Sequence, residues 1–175
     1  MADKRFETLS IHAGGEEQNP KRALNYPIFM TSTFSFDSLD HADATFAFET
    51  SDYVYSRGNN PTLRVLEERM AVLEGGAAAV AFASGMAAIS SVLLSLLKPG
   101  DEVVAHRVLY GSAWNFVKNI LPQYGIHSRL VDLTDPQALA GAIADKTRVI
   151  YFETPVNPSL EIIDISAICH AVAPA

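Results

Sequence analysis

From Pro61 onward two kinds of apolar pattern alternate, and this alternation limits the fold more than any other feature of the chain. Short runs of strand length, AAAVAFA (77–83), EVVAH (102–106), HSRLVDL (127–133) and TRVIYFE (147–153), are separated by segments with helical spacing. PTLRVLEERMAVLEGG puts Pro61 at a first helical position, sets Leu63, Leu66, Met70 and Leu73 on one face, and stops at Gly75. MAAISSVLLSLL closes at the turn KPGD, and SAWNFVKNILPQYG ends before Pro122 or at Gly125. DPQALAGAIAD starts from a Thr134 or Asp135 cap, and a last helix runs from an Asp164 cap through Val172. Strands alternating with helices in this way predict an α/β fold with a mostly parallel sheet covered on both faces.

Residues 1–52 do not share the pattern. They hold Gly14-Gly15, Pro20 and Pro27, then the β-branched and aromatic run IFMTSTFSF. Phe29, Phe34, Phe36, Phe46 and Phe48 are too many aromatics for a disordered segment. An N-terminal arm lying on a partner subunit is expected here, with 53–175 as an incomplete domain. The helix at the end of the alternation, where another strand is due, makes the chain read as cut.

The formal net charge of −7 argues against a nucleic-acid partner or an anionic membrane surface. The opening MADKRFETLSIHAGGEEQ is too polar for a signal peptide and no apolar run has spanning length, so a cytoplasmic location is the default. Cys169 is the single cysteine, which excludes an internal disulfide; with Ile165, Ile168 and Val172 it reads as core. The five histidines show no ligand spacing and HExxH and CxxC are absent, so no metal is expected. His106 and His127 flank strands and need no function, and Trp114 and Phe116 fit helix packing.

Function should concentrate at the strand ends, since open α/β sheets bind ligands outside the carboxyl ends of their strands. In AFASGMAAISS, Ser84-Gly85-Met86 turns an apolar run into a helix. A helix start presents free N–H groups suited to a phosphate, and Gly85 lets an anion approach the backbone. Such a corner is also what an ordinary tight turn needs. The chain has no GxxxxGK[ST], GxGxxG or GxSxG, which argues against a nucleotide-binding domain or a hydrolase elbow. In YVYSRGNNPT, Arg57 offers a planar fork for a dianion and Tyr55 a hydroxyl nearby. In LYGS, Tyr110 offers a flat face beside the space left by Gly111. In FETPVNP, Glu153 and Asn157 are polar groups beyond a third strand. Each stretch alone fits a surface turn or a core position. Together they point to a flat, phosphorylated, aromatic cofactor.

These stretches, with ETLSIHAG, PIFMTSTF, LEERMAVLEGG and SGMAAI, resemble the Cys/Met metabolism (trans-sulfuration) family of pyridoxal-phosphate enzymes in order and spacing over essentially the whole chain. The family includes cystathionine γ-synthase, cystathionine lyases, O-acetylhomoserine sulfhydrylase and methionine γ-lyase. The resemblance implies the large domain of a fold-type-I, aspartate-aminotransferase-like enzyme with pyridoxal 5'-phosphate as cofactor. It implies that Gly85 and Met86 bind the cofactor phosphate through their backbone. Tyr55 and Arg57 would reach the phosphate held by a neighbouring subunit. Tyr110 would stack on the pyridine ring and take part in proton transfer, and Asn157 would lie near the phenolic oxygen and the substrate carboxylate. Glu153 begins the same loop without an assigned contact. The implied substrate is a sulfur-containing amino acid, and the implied assembly is a homo-oligomer, a dimer of dimers.

Two departures matter. The chemistry needs a lysine that bonds the cofactor aldehyde and an acidic group that holds the ring nitrogen protonated. In the family the aspartate lies on the next strand, the lysine follows in a Ser/Thr-rich context ending in Thr-Lys, and a substrate-binding arginine comes later. Lys4, Lys21, Lys98, Lys118 and Lys146 are the lysines here, and none has that context. The chain therefore reads as the N-terminal portion of a larger enzyme, inactive alone. The rival expectation is a non-catalytic truncated domain that associates through its arm and exposed sheet edge. Secondly, many methionine γ-lyases carry a cysteine after Leu-Tyr-Gly, where this chain has Ser112.

Overall fold

The computed structural model describes residues 5–14, 19 and 23–172. The chain divides into two compact units, Met1–Ala81 and Phe82–Ala175. Gly15, Pro20, Lys4 and Lys21 lie outside the described residues.

The first unit is organised around α3 (Pro61–Glu74), preceded by α1 (Phe6–His12) and α2 (Leu39–Phe46). Asn60 caps α3 by accepting the Thr62 N–H at 2.9 Å, and its amide donates to the Phe29 carbonyl at 3.1 Å. The Thr62 hydroxyl accepts the Phe29 N–H at 2.9 Å. The helix start thus holds the arm by the same residues that satisfy its own free amides. An antiparallel bridge pairs Thr33 with Tyr55. Farther along α3, Arg69 Nε donates to the Ala13 carbonyl at 2.8 Å. Gly14 has φ +81°, and a Cβ there would stand 2.8 Å from the Val65 carbonyl oxygen, so only glycine fits this approach of α1 to α3.

In the second unit, α4 (Gly85–Leu96) is followed by β1 (Glu102–His106), β2 (His127–Val131) and β3 (Thr147–Tyr151), with α5 (Gly111–Asn115), α6 (Pro136–Ala142) and α7 (Ile165–Val172) after successive strands. All pairing is parallel, in the order β2-β1-β3. All five residues of the central β1 are buried. Val103 and Ala105 join Leu93, Leu97, Leu109, Ala113, Val117 and Leu121 in one core. Val104 joins Leu133, Leu139, Val156, Ile163 and Ile168 in another. The alternation follows from the two-residue period of a strand, and it puts α4 and α5 on one face and α6 and α7 on the other. The expected α/β fold with a parallel, doubly covered sheet is what the unit shows. After Asn115 the helix widens to a π turn over Phe116–Ile120 and tightens to a 3-10 turn over Leu121–Tyr124, ending at Gly125 with φ +73°. Pro122 lacks the N–H that a regular last turn would use.

Two expectations fail, at residues 77–83 and at Cys169. Residues 77–83 are not a strand: among the described residues no neighbour pairs with them, and Val80 is 71% exposed. The one hydrogen bond recorded there is the Ala81 N–H to the Glu67 carboxylate, at 2.8 Å. An apolar composition permits a strand, but only a paired edge makes one. On the face of α3 carrying Leu63, Leu66, Met70 and Leu73, the first three are half-exposed and Leu73 is partly buried, while Pro61 and Val65 are the buried positions. Cys169 is exposed, because Ile168 and Ala171 face the core and Cys169 is turned aside from them. His106, expected merely to flank a strand, is completely buried.

Candidate active site

The connections of the sheet decide where a ligand can enter. β1 leads into α5 on one face, and β3 leads through its loop towards α7 on the other. Two adjacent parallel strands whose connections part to opposite faces leave a crevice at their carboxyl ends. Tyr110 follows β1 and Glu153 follows β3, so topology brings these two sequence-predicted residues to one crevice, with Asn157 farther along the loop that Glu153 begins.

Tyr110 and Glu153 are joined directly. The Tyr110 N–H donates to Glu153 Oε2 at 2.9 Å, and the Tyr151 hydroxyl reaches Glu153 Oε1 at 3.4 Å. Burial first, then the charge of Glu153, pushes the Tyr151 hydroxyl up to about 12, so it remains a donor to that carboxylate. Tyr110 is also the residue from which α5 starts; its carbonyl accepts the Trp114 N–H at 2.8 Å, and the residue is 47% exposed. The backbone of Tyr110 is therefore fixed on both sides while about half of the residue stays open to solvent. Glu153, which sequence reasoning left without a contact, is the anchor. No sequence pattern announces a carboxylate bonded to an amide 43 residues away.

Gly85 and Met86 open α4. Ser84 caps it by accepting the Ala87 N–H at 3.1 Å. Gly85 and Met86 are among the first-turn residues whose amides a helix leaves without an internal partner. A Cβ at Gly85 would meet nothing within 4 Å, so the approach to these amides is open. Met86 packs on the core that holds Leu109, Ala113 and Tyr151, the neighbours of Tyr110 and Glu153. Asn157 is exposed, in a turn closed by the Val156 N–H to the Glu161 carbonyl at 2.9 Å and anchored by the fully buried Val156. Tyr55 and Arg57 belong to the first unit, where the guanidinium stands over the tyrosine ring at 5.3 Å. They line a cleft of about 580 Å³ with Phe46, Asp52 and Arg64. Lys98, Lys118 and Lys146 are exposed. Among the described residues no cluster of His, Cys, Asp or Glu has metal-binding geometry.

Open amides at a helix start, a half-exposed tyrosine and a crevice at the strand ends suit a flat phosphorylated ring. The sequence model of the Cys/Met metabolism PLP-dependent enzymes matches residues 7–174. The chain belongs to this family. It is 46% identical over 163 residues to the L-methionine gamma-lyase of Pseudomonas putida, covering 93% of this chain and 41% of that one. It is 40% identical to the O-acetyl-L-homoserine sulfhydrylase of Leptospira meyeri, over 93% of this chain and 37% of that one. The crystal structure of the metY protein of Campylobacter jejuni, which contains N'-pyridoxyl-lysine-5'-monophosphate, matches with a TM-score of 0.86 and 35% identity, over 97% of this chain and 42% of its own. The parallel sheet and its helices are those of a fold-type-I large domain, and the chain spans about 41% of the Pseudomonas relative. Among the described residues no helix is long and apolar enough to cross a membrane.

Proposed function

We propose that this chain forms part of a PLP-dependent enzyme acting on sulfur-containing amino acids by β- or γ-elimination or γ-replacement. The observation that carries the reading is the open start of α4, whose Met86 packs on the core formed in part by Leu109 and Ala113 around the half-exposed Tyr110. Gly85 and Met86 would hold the cofactor phosphate through their amides. Tyr110 would lie against the ring and carry a proton at its hydroxyl. Asn157 would orient the phenolic oxygen and the substrate carboxylate. Tyr55 and Arg57 would serve the phosphate of a neighbouring subunit, so the working unit would be a homodimer at least, and a dimer of dimers in the family's usual assembly. The bound cofactor would supply an electron sink for charge developing at the substrate Cα. The cytoplasm is the proposed location.

The rival reading, a non-catalytic chain that associates with partners, is favoured by the exposed Leu63, Leu66, Met70 and Val80. The two part on the polypeptide made from the native gene, by its intact mass and its absorbance with added pyridoxal 5'-phosphate. A chain about the length of the relatives, with a yellow band that borohydride removes, supports the enzyme. A chain of this length that stays colourless supports the rival. In the enzyme, Tyr110→Phe keeps the flat face and loses the proton, and turnover should fall about 10²–10⁴-fold with cofactor affinity little changed.

A further inference from the structure

The loop after β3 is tied to the loop after β1 at two places. The first is Glu153 with the Tyr110 amide. The second is built around Glu161. Arg107 Nη2 donates to Glu161 Oε1 at 3.3 Å, and the Ser159 hydroxyl donates to Oε2 at 2.7 Å. Arg107 Nε also holds Asp132 Oδ2 at 2.9 Å, which links the same point to the end of β2. Behind this exposed pair stands His106, the last residue of β1, with no exposed surface.

The ring of His106 has one defined role and one open one. Its Nδ1 accepts the Leu133 N–H at 3.0 Å, so the ring proton must sit on Nε2. That Nε2–H is buried and has no hydrogen-bond partner among the described residues. The acceptor it faces is Glu161 Oε2, at 3.7 Å. A buried donor without an acceptor is costlier than a hydrogen bond is favourable, so the imidazole draws Glu161 towards the sheet. Glu161 is also the residue whose carbonyl closes the Val156–Glu161 turn, and Asn157 lies inside that turn.

We propose that His106 and Arg107 are positioning residues that act through Glu161 to hold the turn carrying Asn157 against the carboxyl edge of the sheet. This rests on the reading of Asn157 as a residue facing the cofactor. The two ties bracket the loop, with Tyr110 fixed at one and the Asn157 turn at the other. The crevice would then meet its ligand with both sides already ordered, which spares the cost of ordering them on binding.

The test uses the polypeptide made from the native gene, with Glu161→Gln, His106→Asn and Arg107→Gln variants. Amide hydrogen exchange over 154–163 should quicken roughly ten-fold in Glu161→Gln, while Val103–Ala105 on β1 keep their protection. The affinity for pyridoxal 5'-phosphate, titrated by absorbance, should weaken several-fold in the same variant at an unchanged melting temperature. Because His106 is buried, its variant is read only if β1 stays protected, and Glu161→Gln and Arg107→Gln carry the test if it does not. Histidine nitrogen NMR of the parent protein should show Nδ1 bare and Nε2 protonated. Unchanged loop exchange in Glu161→Gln, or a proton on Nδ1, overturns the proposal. A loosened loop with unchanged cofactor affinity overturns its link to the site. Failure of the enzyme reading is distinct: then no variant and no parent binds the cofactor, whatever the loop does.

Discussion

Two apolar segments of similar length, EVVAH at 102–106 and AAAVAFA at 77–83, have opposite fates. The first is a central strand with every residue buried and a parallel neighbour on each side. The second has no pairing partner among the described residues, and leaves Val80 and Phe82 exposed. Their compositions do not separate them; if anything AAAVAFA is the more apolar. What separates them is the presence of other backbones to accept and donate hydrogen bonds. A strand belongs to a pair of segments, whereas a helix belongs to one.

A charge placed in each segment gives the widest contrast. Val104 lies in the core with Leu133, Leu139 and Ile163. Val104→Asp would bury a carboxylate in that apolar core, and denaturant unfolding should show a loss above about 4 kcal/mol, with the cooperative transition abolished. A folded Val104→Asp protein of near-parent stability would mean that the sheet is not the organising element of its unit.

Next in size is the carboxylate that joins the sheet. Glu102, at the start of β1, accepts from Arg129 Nη2 on β2 at 3.1 Å and from the Thr147 hydroxyl on β3 at 2.9 Å. It is 9% exposed, so removing it takes the acceptor from the part-buried Thr147 hydroxyl and the partner from Arg129. Glu102→Ala should cost about 1–3 kcal/mol in denaturant unfolding. Glu102→Gln, which keeps one acceptor, should recover part of that loss.

The same distinction between local and paired features explains what was legible in the sequence. Helix starts were readable because the cap lies within three residues of what it caps: Asn60, Ser84 and Asp135 each accept a nearby amide. The strands at 102–106, 127–131 and 147–151 were readable because each has a helix on either side in the chain, which is the pattern of a parallel sheet. The 77–83 run has the same signature, and nothing local distinguishes it. The candidate site divides in the same way. Gly85, Met86, Tyr110 and Asn157 stand in contiguous motifs and could be named. The groups that hold them could not, since Glu153 meets Tyr110, and Glu161 meets Arg107, across 43 and 54 residues. Nothing local to His106 distinguishes a histidine that merely flanks a strand from one whose ring is sealed.

Acid should dissolve the tie at the end of β2 only in the low range where Asp132 takes up its proton. Asp132 is held down to about 2 by the Thr134 hydroxyl first, then by Arg107 and the Thr134 amide. Its folded value lies below the unfolded 3.8, so whatever it contributes is present above 3.8 and is lost as pH falls from there through about 2. The carboxyl carbon shift of Asp132, followed by NMR, should titrate in that low range. Thr134→Val should raise its midpoint more than Arg107→Gln does. The reverse order would make the ion pair the stronger tie.

The smallest effect is expected where composition and pairing disagree most. Val80 is 71% exposed, and the hydrogen bond recorded nearby belongs to Ala81. Val80→Asp in this chain should therefore shift stability by no more than about 0.5 kcal/mol. Amides of 77–80 should exchange fast, as unpaired backbone does, while those of Val103–Ala105 persist. A large loss from Val80→Asp, with slow exchange over 77–83, would show that in solution this segment has found a backbone to pair with. Repeating the exchange at several protein concentrations then identifies that backbone: protection that rises with concentration places it on a second chain, and protection that does not places it within the same one.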